Sequence, residues 1–231
     1  MIETFTALFF GHLLVECILL PPKILDDPAR LRRRIARRAF LTLIVVVAAV
    51  GVLHPAVFAP AFARLAIDAL RPGTGLRIYL GRQAAHLAVI LVTAALVPGL
   101  WDAGFWAVQA PGLPVLMAHV GGAILATRSG QVAVGLLMAA HTLADAPEDG
   151  LPRGGATIGL LERGLIFVLV LAGEIGAIGF LIAAKSILRF GTVNQDRAAS
   201  EYVIIGTLAS FGWAVLAALG TRELVMLLSA A

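Results

Sequence analysis

Residues 156–207 read ATIGLLERGLIFVLVLAGEIGAIGFLIAAKSILRFGTVNQDRAASEYVIIGT. The stretch is apolar over more than the roughly 20 residues that cross about 30 Å of hydrocarbon, yet it holds Glu162, Arg163, Glu174 and Lys185. Ionised side chains in such a setting are costly, so they need partners and tend to mark ion or substrate sites. Arg163, Glu174 and Lys185 recur every eleven residues, and eleven steps of about 100° return to within roughly 20° of one face. A continuous helix over about 157–190 therefore aligns three charges about 16 Å apart. They are too far apart to pair with each other, which predicts partners on other segments: Glu16, Asp68, Glu162 and Glu201 for the cations, Arg64 and Arg82 for the acid. The competing reading splits the stretch at Gly173 into two short crossings with Glu174 at the turn. Small-xxx-small pairs (Gly155 and Gly159, Ala172 and Gly176, Gly179 and Ala183, Gly206 and Ser210) predict close helix contacts.

The rest of the chain has the same character. Of 231 residues 60% are hydrophobic and only 14% charged, with a mean hydropathy of +0.94, far more apolar than a soluble domain of this length can bury. The expected fold class is all-α: a polytopic transmembrane helical bundle with about seven to eight membrane segments, some short or broken. It forms a single integral membrane domain over 1–231, with His- and acid-bearing helices in 1–100, connecting helices and loops in 101–152, and charged helices in 153–231. The first apolar run follows MIET, lacks a basic n-region and ends at Pro21 and Pro22, so it reads as a retained span rather than a cleaved signal. Cys17 is the single cysteine, which excludes a disulfide framework and a thiolate metal site.

Spans are expected at about 4–20, 39–57 with a bend at Pro55, 60–70 as a short element, 83–97, 113–127, 131–144, 157–190, and a last one N-capped by Ser200 with Glu201 in its first turn. Trp101, Phe105 and Trp106 suit an interfacial belt. The net charge of +4 is concentrated in Arg30, Arg32, Arg33, Arg34, Arg37 and Arg38, so the loop 23–38 is expected on the cytoplasmic side against anionic lipids. Lys185 and Arg189 are expected on that side too, and the acidic loop 145–150 outside. No aromatic or groove-binding motif accompanies the arginines, and nucleic acid is not an expected partner.

His12 and Glu16, four residues apart, share a helix face and could hold one divalent metal ion with Asp68, His54 and His86. The bland reading is a hydrogen-bonded pair between helices, worth about 1 kcal/mol or less in a bilayer. His119 and His141 stand alone in apolar runs and read as helix contacts. For Glu162, Arg163, Glu174, Lys185, Arg189 and Glu201 a locking ion-pair network competes with a pocket or path for a proton, ion or anionic headgroup.

At these residues the sequence resembles a bacterial family of inner-membrane proteins catalogued as domain of unknown function three-three-zero-seven. The resemblance is clearest in IGLLERGLIFVLVLAGEIGAIGFLIAAKSILRFG and EYVIIGTLASF; it covers most of the chain, least specifically over 103–152. Gly11, His12 and Glu16 stand where the family pattern reads Gly-His and an acid. Asp68 matches an acid preceded by histidine, a place Arg64 takes here. Gln83 and His86 match Asp-Gln-x-x-His, with Arg82 at the acid. The span from Ala39 lacks the pattern's paired histidines. The resemblance implies a bacterial inner-membrane location and an incomplete metal set, and it supplies no reaction. The expected function is therefore non-enzymatic: holding or passing a small ion or anionic lipid-like ligand at Glu162, Arg163, Glu174, Lys185, Arg189 and Glu201, beside a secondary polar cluster of His12, Glu16, Arg64, Asp68, Arg82, Gln83 and His86. A degenerate metal-dependent membrane hydrolase at His12, Glu16, Asp68 and His86 is the alternative, and an assembly or accessory subunit the second. No cofactor is expected except a divalent metal under the hydrolase reading. A membrane protein or a second copy is an open partner.

Overall fold

The computed structural model describes residues 1–21, 28–70, 73, 75–141, 154–189 and 197–230, in which every regular element is helical. Helix α1 (Ile2–Leu13) runs into a π-helical turn (Leu14–Leu19). Helix α2 (Pro28–Val50) starts on a proline, whose missing N–H falls where a helix has no partner for it. There follow α3 (Phe58–Leu70), α4 (Leu76–Leu96), the short α5 (Phe105–Gln109) and α6 (Leu113–Ile124). A second π-helical turn (Leu125–Ser129) leads into α7 (Gly130–Ala139), and α8 (Gly154–Leu171), α9 (Ile175–Arg189) and α10 (Arg197–Ser229) complete the described chain.

Five of these runs are long and apolar enough to cross a membrane: Ile2–Leu19, Leu76–Leu96, Leu113–Ala139, Gly154–Leu171 and Ser200–Ser229, with Ile175–Ile187 a shorter apolar helix. They are compatible with a membrane protein, and the seven to eight segments expected from the sequence are not confirmed among the described residues. Three local causes account for the difference. The expected spans 113–127 and 131–144 are one run, Leu113–Ala139, over the described residues, because Arg128 falls inside a π-helical turn that continues the helix. Helix α3 has 13 residues, about 20 Å at 1.5 Å per residue, too short to cross. Helix α2 ends at Val50, before Pro55, so its apolar part is shorter than expected and Pro55 instead starts a 3-10 turn.

The stretch 157–190 is not one helix. It breaks after Leu171, where Gly173 has φ +82, a left-handed conformation open to glycine without a Cβ clash. The Glu174 N–H donates to the Leu169 carbonyl at 2.9 Å and the Gly173 N–H to Val170 at 3.1 Å. This is the paired bond pattern of a glycine-terminated helix. Helix α9 then returns antiparallel to α8, since Lys185 Nζ reaches Glu162. The three-charge stripe is thereby dissolved, and the split at Gly173 is the arrangement present. The return also brings the end of α9 to the end where α8 begins. Ser200 is not an N-cap either, for α10 begins three residues earlier and Glu201 lies past its first turn.

Contacts group the chain into two compact units, Met1–Ile124 with Glu223–Ala231, and Leu125–Arg222. The first has an apolar core of Ala7, Leu8, Val46, Ala49, Val50, Val57, Ile90, Leu100, Trp101 and Met117. Trp101, expected at an interface, is in that core at 4% exposure; its backbone N–H donates to Thr4 Oγ1, which donates to the Pro98 carbonyl. Trp106 Nε1 donates to the Ala48 carbonyl, while Phe105 is exposed. Large apolar side chains remain exposed in both units, among them Phe40, Phe62, Leu91, Leu161, Val168 and Leu208, as lipid-facing helices require.

Candidate functional site

In the first unit the structure gathers His12, Glu16, Arg64, Asp68, Arg82, Gln83 and His86, and adds Arg38. Glu16 sits in the π-helical turn one step beyond His12 and is buried. Arg38 bridges Glu16 and Asp68, with Nη1 2.9 Å from Asp68 Oδ2. Arg64, fully buried, donates from Nη1 to Glu16 Oε2 at 2.7 Å and from Nη2 to His12 Nδ1 at 2.6 Å. Arg82 Nη2 donates to Asp68 Oδ1 at 2.6 Å. A guanidinium only donates, so His12 accepts at Nδ1 and its proton is on Nε2. That N–H donates to Gln83 Oε1 at 2.9 Å, and Gln83 Nε2 donates to Glu16 Oε1 at 3.2 Å. The directions close without conflict.

Arg64 thus pairs with Glu16, not with Asp68 one turn along its own helix, as the sequence spacing suggests. Asp68 takes Arg38 and Arg82 instead, and His86 Nε2 lies 3.8 Å away, beyond hydrogen-bond reach. His54 does not join: its Nδ1 accepts from the Ala56 N–H at a 3-10 turn. His119 donates to the Val115 carbonyl one turn back in α6, and His141, just past α7, donates to the Leu137 carbonyl. The metal alternative His12, Glu16, Asp68 and His86 is brought together, but with guanidiniums among its members. His12 Nδ1 accepts from Arg64, and no group of three or more His, Cys, Asp or Glu among the described residues is arranged to hold a metal ion.

Arg38 was missed as a member because it belongs to the arginine run. The signal was its register: Ile35, Arg38, Thr42, Val46, Ala49 and Val50 are the buried positions among the described side chains of α2, whereas Arg30, Arg32, Arg33 and Arg37 are exposed. Arg34 turns back to donate to the Pro21 carbonyl. The loop residues 23–27 lie outside the described residues.

In the second unit, α7, α8, α9 and α10 line an open cavity of about 380 Å³, a size suited to a small ligand. Its wall includes Gln131, Gly159, Glu162, Arg163, Lys185, Tyr202, Thr207 and Ser210. Lys185 Nζ donates to Glu162 Oε2 at 2.6 Å and lies 5.2 Å from the Phe211 ring centroid, within cation–π range. Arg163 is 3% exposed; its Nη1 donates to Ser210 Oγ at 3.0 Å and its Nε to the Thr127 carbonyl at 3.3 Å. Thr127 belongs to the second π-helical turn, whose Leu125 carbonyl also accepts from Trp213 Nε1 at 2.8 Å. A π turn departs from the i→i−4 register, and here two of its carbonyls serve side chains. Gly130, at its end, has no room for a side chain, for a Cβ there would stand 2.6 Å from Trp213 Cδ1 and 2.9 Å from Arg163 Cδ.

Two of the expected site residues lie elsewhere. Glu174 is exposed at the α8–α9 turn, opposite in the hairpin to the cavity, and Glu201 is exposed near the start of α10 and does not line it. The side chain of Arg189 and the acidic loop lie outside the described residues. The small-residue pairs divide as well. Gly159, Gly206 and Ser210 line the cavity, but a Cβ on Gly155, Gly176 or Gly179 would meet nothing within 4 Å. The close approach is at Gly130, which no pair contains. Gln131, Tyr202 and Thr207 carried no signal beyond being polar in apolar sequence. No family model, curated protein or solved structure matches the chain.

Proposed function

We propose that the chain is a multi-pass protein of a bacterial inner membrane that holds or passes a small ion or anionic lipid-like ligand at the α7–α10 cavity, while the network around Glu16 and Asp68 locks the N-terminal unit. Five membrane-length apolar helices support a membrane location, and the bacterial inner membrane rests on the sequence resemblance alone. The observation that carries the ligand reading is Arg163: buried on the cavity wall, it meets only neutral acceptors among the hydrogen bonds of the described residues. A buried cation without a carboxylate of its own is costly in an apolar helix and is relieved by an anionic ligand. The metal-hydrolase reading has less support, because its lone pairs are engaged by arginine.

The test is ligand-linked stability. Full-length protein in neutral detergent is titrated with anionic lipid and its thermal unfolding followed. Wild type is expected to gain stability with concentration, and Arg163→Met to lose that gain while keeping its own unfolding temperature. An equal gain in Arg163→Met would refute the proposal.

A further inference from the structure

We infer that the group taken by the α7–α10 cavity is a phosphodiester monoanion bearing neighbouring hydroxyls, of the phosphoglycerol type; this rests on the cavity being an anion site. Charge sets the first condition. Glu162 and Lys185 neutralise each other at 2.6 Å, so Arg163 leaves the wall one positive charge in excess. One negative charge completes it. A dianion would leave a net negative charge beside Glu162 with no cation to meet it, and a zwitterion would bring an ammonium toward Arg163 and Lys185.

Geometry sets the second. A guanidinium has five N–H donors, of which Ser210 and Thr127 engage one each; those remaining form a planar fork suited to the two non-bridging oxygens of a phosphate. Gly159 keeps that fork open, since a Cβ there would stand 3.1 Å from Arg163 Nη1. Gln131, Thr207 and Tyr202 add neutral hydrogen-bonding groups to the same wall, which suits hydroxyls rather than further charge.

The route in sets the third. Gly155 in the first turn of α8 and Tyr202 near the start of α10 also line the cavity, so it extends toward these helix ends, about 12 Å along α8 from Arg163 at 1.5 Å per residue. Ile158, half exposed, lines it as well, and Leu161 and Leu165 continue an exposed apolar flank. A headgroup fits the volume and acyl chains do not, so a lipid ligand would leave its chains along that flank. A soluble glycerophosphodiester presents the same chemistry without them.

Full-length protein in neutral detergent at pH 8 is examined by native mass spectrometry with phosphatidylglycerol, phosphatidylethanolamine, phosphatidic acid and soluble glycerophosphoglycerol, each alone. Phosphatidylglycerol is expected to be retained about tenfold better than phosphatidylethanolamine and severalfold better than phosphatidic acid. Arg163→Met should bring it to the phosphatidylethanolamine level, and Thr207→Val with Tyr202→Phe should weaken it about threefold. Retention of the lipid without the soluble diester supports the membrane source; retention of both, each dependent on Arg163, supports the same chemistry with a soluble source. If phosphatidylethanolamine or phosphatidic acid equals phosphatidylglycerol while Arg163→Met still abolishes binding, this inference is overturned and the anion site stands. Binding of all four indifferent to Arg163 overturns both. Arg163→Lys, which keeps the charge, covers the case of a misfolded methionine variant: it should retain phosphatidylglycerol more weakly than wild type, and unaltered retention would refute the fork.

Discussion

Each unit buries arginine beside a π-helical turn, but the surroundings differ. Around Glu16 and Asp68, three guanidiniums meet two carboxylates, and each carboxylate is held by two arginines. Around Arg163 the partners are a hydroxyl and a carbonyl, with a cavity beyond. In the first arrangement the carboxylate acceptors are already engaged, although Arg38 Nε, Arg64 Nε and His86 Nε2 are buried without a hydrogen-bond partner. The second leaves charge and donors directed at open space. The histidine-rich cluster draws attention by composition, yet the less conspicuous arginine is the better candidate for binding. A buried arginine on a cavity wall with no carboxylate of its own, rather than the density of ionisable residues, points to a ligand.

The comparison breaks most readily at Arg38. Arg38→Met removes a cation from both carboxylates at once and should cost about 3–5 kcal/mol, the usual consequence of leaving a buried charge short of its partner. The check is the folded, monodisperse fraction in detergent, and near-wild-type stability would mean that the network is not a lock. Glu16→Gln together with Arg64→Met should recover part of the two single losses, a coupling of about 0.5–3 kcal/mol in a double-mutant cycle.

Next in size is Gly130→Val. The added side chain must displace Trp213 or Arg163, for about 1–3 kcal/mol, and it should weaken anionic-lipid binding through the arginine it moves. A variant with full stability and binding would remove the close approach from the reading of the site. Arg163→Met should change stability by no more than about 1 kcal/mol while lowering anionic-lipid affinity about tenfold, which is about 1.4 kcal/mol. The smallest effect belongs to Glu174→Gln, within about 0.5 kcal/mol and without change in binding, since the side chain is exposed at the turn. A loss of binding there would restore Glu174 to the site.

Composition and run length made the all-helical membrane class legible, and Glu162, Arg163 and Lys185 could be singled out because charge is rare in such sequence. Their geometry could not. An eleven-residue spacing fits a straight helix, whereas the chain reverses at Gly173, one glycine among several in the stretch, and only the reversal lets Lys185 find Glu162. Arg128 reads as a loop charge between two spans, but π-helical hydrogen bonding carries the helix past it, and local sequence gives no warning of that. Arg38 was hidden among arginines that face outward, although its place in the buried register of α2 was countable. The pairing of Arg64 with Glu16 rather than Asp68 depends on which helices pack together, which residue spacing within one helix does not encode.

The central contrast is tested most directly by thermal unfolding of wild type, Arg38→Met and Arg163→Met side by side, each with and without phosphatidylglycerol at about a hundredfold excess over its dissociation constant for wild type. Wild type should gain about 2.7 kcal/mol from the lipid. Arg38→Met should start far less stable, and whatever folds should still gain from lipid. Arg163→Met should start near wild type and gain almost nothing. If Arg38→Met abolished the lipid gain at unchanged stability, and Arg163→Met kept the gain, the lock and the ligand site would be the reverse of what is described.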